Sequence, residues 1–153
     1  MTRERRTLDL EAAIAGLVDV TDAGRLKLRV VALGWATVDT ARASTELAEF
    51  GPFRPARDDP ILGASCAVGG SMDICLTILE PVTEGRLAAT LARHDEGPAV
   101  LWLSGHPRAD GPAAIRLSTA VLGPFGDERL LLGGPLGGPH ILVLHAPPGT
   151  IER

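Results

Sequence analysis

The chain has 153 residues, 45% of them hydrophobic, and a formal net charge of −4. That length suits one compact domain or two small halves sharing a core, and the apolar share is enough to bury one. A mildly acidic chain without a basic tract has little electrostatic hold on a nucleic-acid backbone or an anionic membrane, so neither is expected as a partner.

The opening, MTRERRTLDLEAA, is basic but lacks the apolar run of a secretory leader, and no apolar stretch long enough to span a bilayer follows. The expected location is the cytoplasm. Leu10, Ile14, Leu17 and Val18 recur at helical spacing, so 8–20 reads as a helix capped by Thr7 or Asp9. Residues 27–38 read as a strand and 39–50 as a helix stopped by Gly51-Pro52. Strands are expected at 61–68 and 72–79, joined by a tight turn at Gly70-Ser71. That turn would set Ala64 opposite Thr77 and Cys66 opposite Cys75. A helix over 83–94, capped by Thr83, leads to a strand at 99–105, a helix at 111–122, and closing strands at 128–134 and 140–146.

The order strand, helix, strands, proline is written twice. Gly51-Pro52-Phe53 returns as Gly123-Pro124-Phe125, and LTILEP at 76–81 is echoed by LVLHAP at 142–147. An internal duplication follows. The expected division is an N-terminal helical extension at 1–26, a first β-α-β-β-β module at 27–82, a linker helix at 83–96 and a second module at 97–153. Alternation along 72–79 puts Met72, Ile74, Leu76 and Ile78 on a helix-facing side, and Asp73, Cys75, Thr77 and Leu79 on an inner side. The same reading of 139–146 turns Leu142 and Leu144 outward and Ile141, Val143 and His145 inward. His140 then points away from the pocket.

A doubled β-α-β-β-β unit resembles the vicinal-oxygen-chelate superfamily of glyoxalases, methylmalonyl-CoA epimerases, extradiol dioxygenases and bleomycin-resistance proteins. The most specific stretch is LTILEPVTEGRLAATLARHDEGPAVLWL, 76–103. The resemblance implies an α+β fold in which the paired modules form a cupped mixed sheet around one pocket, with the N-terminal helix added. It also implies a divalent metal held by a His in each module's first strand and a carboxylate or amide late in each module. Here KLRVVALG and PAVLWLS hold no His, and the late positions carry Thr77 and Val143. Neither is a ligand for Zn, Ni or Fe, so no metal and no other cofactor is expected.

Asp73 and His145, on the inner faces, are the candidate catalytic residues, each able to move a proton. Cys75, Thr77, Val143, Trp35 and Trp102 are the candidate ligand-binding residues. Trp35 and Trp102 lie on corresponding first strands and can stack on a ligand or fill the core. Cys66 and Cys75 read as two buried thiols, with their redox state open. The function expected is a metal-independent pocket protein acting on a small, mostly apolar metabolite, of the isomerase, cyclase or lyase kind. The alternative is a non-catalytic protein that binds or sequesters such a molecule. Third comes a metal-dependent epimerase type with Asp73, His145, His106 and Glu80 as ligands. An apolar first helix leaves room for a homodimer.

Overall fold

A computed structural model describes residues 8–70, 74–105, 116–134 and 137–144. The N-terminal helix α1 runs Leu10–Asp19, and Asp9 caps it by accepting from the Ala12 N–H at 3.1 Å. β1 (Arg29–Ala36) is followed by α2 (Thr40–Glu46), capped by Asp39. Then come β2 (Phe53–Asp59), β3 (Ala64–Gly69) and β4 (Cys75–Pro81). Helix α3 (Arg86–His94) leads to β5 (Gly97–Ser104), β6 (Val121–Gly123), β7 (Gly126–Leu130) and β8 (His140–Leu144).

The strands form one eight-stranded mixed sheet in the order β2-β3-β4-β1-β5-β8-β7-β6. Each half makes the same pairing: β1 runs parallel to β4, and β5 parallel to β8. The halves join through the antiparallel β1–β5 ladder, with Leu33 opposite Leu101. One face carries Leu33, Leu76, Ile78, Leu101, Leu103, Ile141 and Val143 against α1 and α2. The other carries Ala32, Cys66, Leu79, Val100, Trp102, Leu130, Leu142 and Leu144, with Leu87 of α3 packed on them. The sheet curls toward this second face, because β2 and β6, at its opposite ends, touch one another.

Five expectations need correction. The β3–β4 register pairs Cys66 with Leu79 and Val68 with Thr77, four residues away from the expected pairing. The connection is therefore longer than a two-residue turn, and Cys66 and Cys75 are not opposite one another. Residues 60–63 form a turn, with Gly63 at φ +67, and the strand begins only at Ala64. Of the helix expected at 111–122, residues 111–115 lie outside the described residues. The remainder is extended: Leu117 bridges Leu131 and β6 begins at Val121. Thr83 does not cap α3, whose N-cap is Gly85.

The fifth correction concerns faces. Leu142 and Leu144 lie on the concave side and Ile141 and Val143 on the convex side, the reverse of the expectation. The cause is a one-residue slip, which exchanges the two faces of a strand. Concave positions are Cys75, Thr77 and Leu79 in β4 but His140, Leu142 and Leu144 in β8, so an even offset cannot superpose them. Aligning the prolines gave an even offset of 66. The GPF repeat is likewise not equivalent in space. Phe53 opens β2, whereas Pro124-Phe125 turns β6 into β7.

Candidate functional site

The concave face is mainly apolar, and its polar groups converge at the seam between the sheet's two ends. Asp59 closes β2 and Glu128 lies in β7; both are buried, at 1% and 0% exposure. Asp59 Oδ1 accepts from the Leu62 N–H at 3.0 Å, which the turn after β2 presents. Glu128 Oε1 accepts from Trp102 Nε1 at 3.2 Å. Their second oxygens, Asp59 Oδ2 and Glu128 Oε2, have no partner outside the pair. The two carboxyls face each other beside Gly123, where a Cβ would collide with Glu128 and crowd Asp59. Two buried acceptors in contact repel unless one carries a proton. Glu128 carries it. Burial, then the hydrogen bond and charge of Asp59, push its carboxyl up to about 9.

Trp102 forms the floor beside this pair. It is fully buried, and its ring meets Phe125 edge-on at 5.2 Å between centroids. Gly34 makes room for it, since a Cβ there would sit 2.9 Å from Trp102 Cζ3 and 2.8 Å from Val100 Cβ. Thr77 stands opposite Gly34 in the β1–β4 ladder, and its buried Oγ1 has no partner. Cys66 shares this face. Burial and the charge of Asp59 push its thiol up to about 12, so it is a protonated, unreactive group at neutral pH.

Among the expected site residues, the structure brings Cys75, Thr77 and Trp102 to the concave face. It places Trp35 and Val143 on the convex face, in the core under α1 and α2. Trp35 and Trp102 are 67 residues apart, an odd offset on strands whose concave positions share parity, so they cannot share a face. Asp73 and His145 lie outside the described residues. His140, expected to point away, is buried on the concave side, and its Nε2 lies 3.1 Å from Thr90 Oγ1 of α3. Asp59 and Glu128 were missed. Asp59 sits in the charged string FRPARDDP, to which no element is assigned from the sequence. A signal existed for Glu128, which shares strand parity with Leu130.

Among the described residues nothing fits the metal implied by the resemblance. Concave positions of the central strands include Ala32, Gly34, Cys75, Thr77, Val100, Trp102, His140 and Leu142, which offer one thiol, one hydroxyl and an imidazole already bonded to Thr90, but no carboxylate. Among the described residues no three His, Cys, Asp or Glu side chains are grouped to hold an ion. Of the reserve ligands, Asp73, His106 and His145 lie outside the described residues. Glu80 is committed to α2, accepting from the Thr40 N–H at 2.9 Å at the helix start. Among the described residues no helix is long and apolar enough to cross a membrane.

No protein-family model and no curated protein matches this sequence. Solved structures do match its fold. Methylmalonyl-CoA epimerase from Mycobacterium tuberculosis superposes with a TM-score of 0.62 at 17% identity, over 95% of this chain and 97% of that one. A Streptomyces coelicolor methylmalonyl-CoA epimerase variant, bound to 2-nitronate-propionyl-CoA, gives 0.57 at 18%, over 78% and 98%. A hypothetical protein from Bacillus halodurans gives 0.61 at 14%, over 78% and 95%. Identities this low speak for the fold alone: the chain has the vicinal-oxygen-chelate fold.

Proposed function

We propose that this chain is a metal-independent enzyme of the isomerase or lyase kind, acting on a small, mostly apolar metabolite at the Asp59–Glu128 pair. One observation carries the reading: two buried carboxyls, Asp59 and Glu128, share one proton on an apolar concave face that also holds the unpartnered Thr77 Oγ1. A carboxyl pair buried in apolar surroundings is costly, and acid–base chemistry on a bound molecule gives it a purpose. The pair holds one base and one acid at neutral pH. Asp59 takes a proton from carbon next to a carbonyl while Glu128 gives its proton to the carbonyl oxygen, leaving a neutral enol. Return of the two protons gives the isomer and restores both groups. Trp102 N–H holds Glu128 in place, Thr77 offers a hydroxyl to the substrate, and the apolar walls exclude water.

A second reading, non-catalytic binding or sequestration, is favoured by Trp102 and Phe125, which fill the middle of the concave face. Deuterium exchange separates the two. The protein is incubated in D2O with methylmalonyl-CoA, the substrate named for the fold's epimerases, and with a panel of small thioesters and 2-oxo acids. Enzyme-dependent exchange at the α-carbon, unaffected by EDTA and at least ~100-fold slower in Asp59→Asn, is expected. Exchange that EDTA abolishes, or that survives in Asp59→Asn, would sink the proposal. Saturable binding without exchange would establish the second reading.

A further inference from the structure

Away from that pair, a cleft of ≈ 230 Å³ opens where β7 turns into β8, and none of its lining belongs to the Asp59–Glu128 site. Its walls are Leu131, Leu132 and Ile141, its rim is Gly133 and Gly134, and Arg86 reaches it from the first turn of α3. Arg86 is the one formally charged side chain in this lining. Among the described residues no carboxylate pairs with it.

The other ionisable group in the lining, His140, is neutral there. Thr90 Oγ1 donates to the Arg86 carbonyl at 2.9 Å, so its lone pairs receive the His140 Nε2–H. Burial and the nearby Arg86 charge also push the imidazole down to about 4. This buried Thr90–His140 contact ties the turn carrying Arg86 to the start of β8, which makes the cationic wall a fixed one. Gly133 and Gly134 add backbone N–H groups that have no backbone acceptor among the described residues. The lining therefore combines a guanidinium with no carboxylate partner among the described residues, spare donors and three aliphatic side chains.

We infer that this cleft binds a small aliphatic carboxylate, its anionic end on Arg86 and its alkyl body against Leu131, Leu132 and Ile141. A guanidinium fork matches a carboxylate in a bidentate way. The volume lies below that of drug-sized pockets, so the ligand is short. The cleft stands whether or not the carboxyl pair is catalytic.

The probe is sodium 4-methylpentanoate, titrated into 15N-labelled full-length chain, with 4-methylpentan-1-amine as the control of opposite charge. Expected are saturable shifts at the Gly133 and Gly134 amides with the carboxylate and none with the amine. Arg86→Gln weakens binding about 10-fold or more. Leu132→Glu, at a partly exposed position, abolishes it by placing a carboxylate in the cleft. Arg93→Gln, one helical turn beyond Thr90, leaves it unchanged. No saturable shift at these glycines, an equal response to the amine, or undiminished affinity in both Arg86→Gln and Leu132→Glu would each overturn the inference. None of these variants touches Asp59 or Glu128, so the outcome leaves the proton-transfer reading to its own test.

Discussion

Glu128 carries the most chemistry per atom in this molecule, and its protonation state can be read from stability alone. A glutamine there keeps the shape, the acceptor for Trp102 Nε1 and a donor toward Asp59. Glu128→Gln should therefore cost less than about 1 kcal/mol at pH 7. Glu128→Ala strands the Trp102 N–H and leaves a void, and should cost about 2–4 kcal/mol. Urea denaturation of the two variants checks this. If the glutamine proves as damaging as the alanine, Glu128 is ionised and the acid–base assignment fails. The sequence hid this residue for a physical reason. A buried carboxyl is rare enough that an acidic residue opening the expected strand at 128–134 does not stand out as a site residue. Only its partner across the seam makes burial tolerable, and that partner, Asp59, lies 69 positions earlier. Thr77 was legible because alternation along 72–79 marks it as inward, whereas Trp102 was named only together with Trp35, which lies on the other face.

At the level of elements, local signals did well and long-range ones did not. Asp9 caps α1, Asp39 caps α2, and apolar periodicity located α1, β1, β4 and β5. β2 was invisible because Pro55 and four charged residues break its pattern, which an edge strand tolerates and a central one does not. Register was the weakest inference. The Gly70-Ser71 turn pointed to a Cys66–Cys75 pair, yet Cys66 faces Leu79, four positions beyond Cys75. Four residues along a strand span about 13 Å, too far for a disulfide. Mild oxidation should leave both thiols free. A thiol-reactive dye should label half-buried Cys75 before buried Cys66, whose thiol stays protonated. Mass spectrometry of the oxidised, alkylated protein tests the pairing, and an intramolecular Cys66–Cys75 bridge would show the register to be wrong.

For the whole molecule, two buried groups pull the pH dependence of stability in opposite directions. His140 has its folded pKa lowered from 6.5 to about 4. Between those values the unfolded chain binds more protons, so stability rises with pH. Glu128 has its folded pKa raised from 4.5 to about 9. Between those values the folded chain holds the extra proton, so stability falls as pH rises. From pH 4.5 to 6.5 the two single-proton slopes cancel and stability is level with respect to this pair. Above 6.5 His140 no longer contributes and only the Glu128 slope remains, with a limit of about 1.4 kcal/mol per pH unit. Cys66, raised from 9.0 to about 12, extends the decline into the alkaline range. The expected profile is a plateau on the acid side of neutrality and a fall through pH 7 to 9. In Glu128→Gln that fall should disappear while His140 still makes stability rise up to about pH 6.5. Thermal midpoints across this range, wild type against variant, decide it. A wild-type profile that stays level from pH 6.5 to 9 would mean that the seam between the two halves holds no proton, and both the closure of the cup and its proposed chemistry would need another basis.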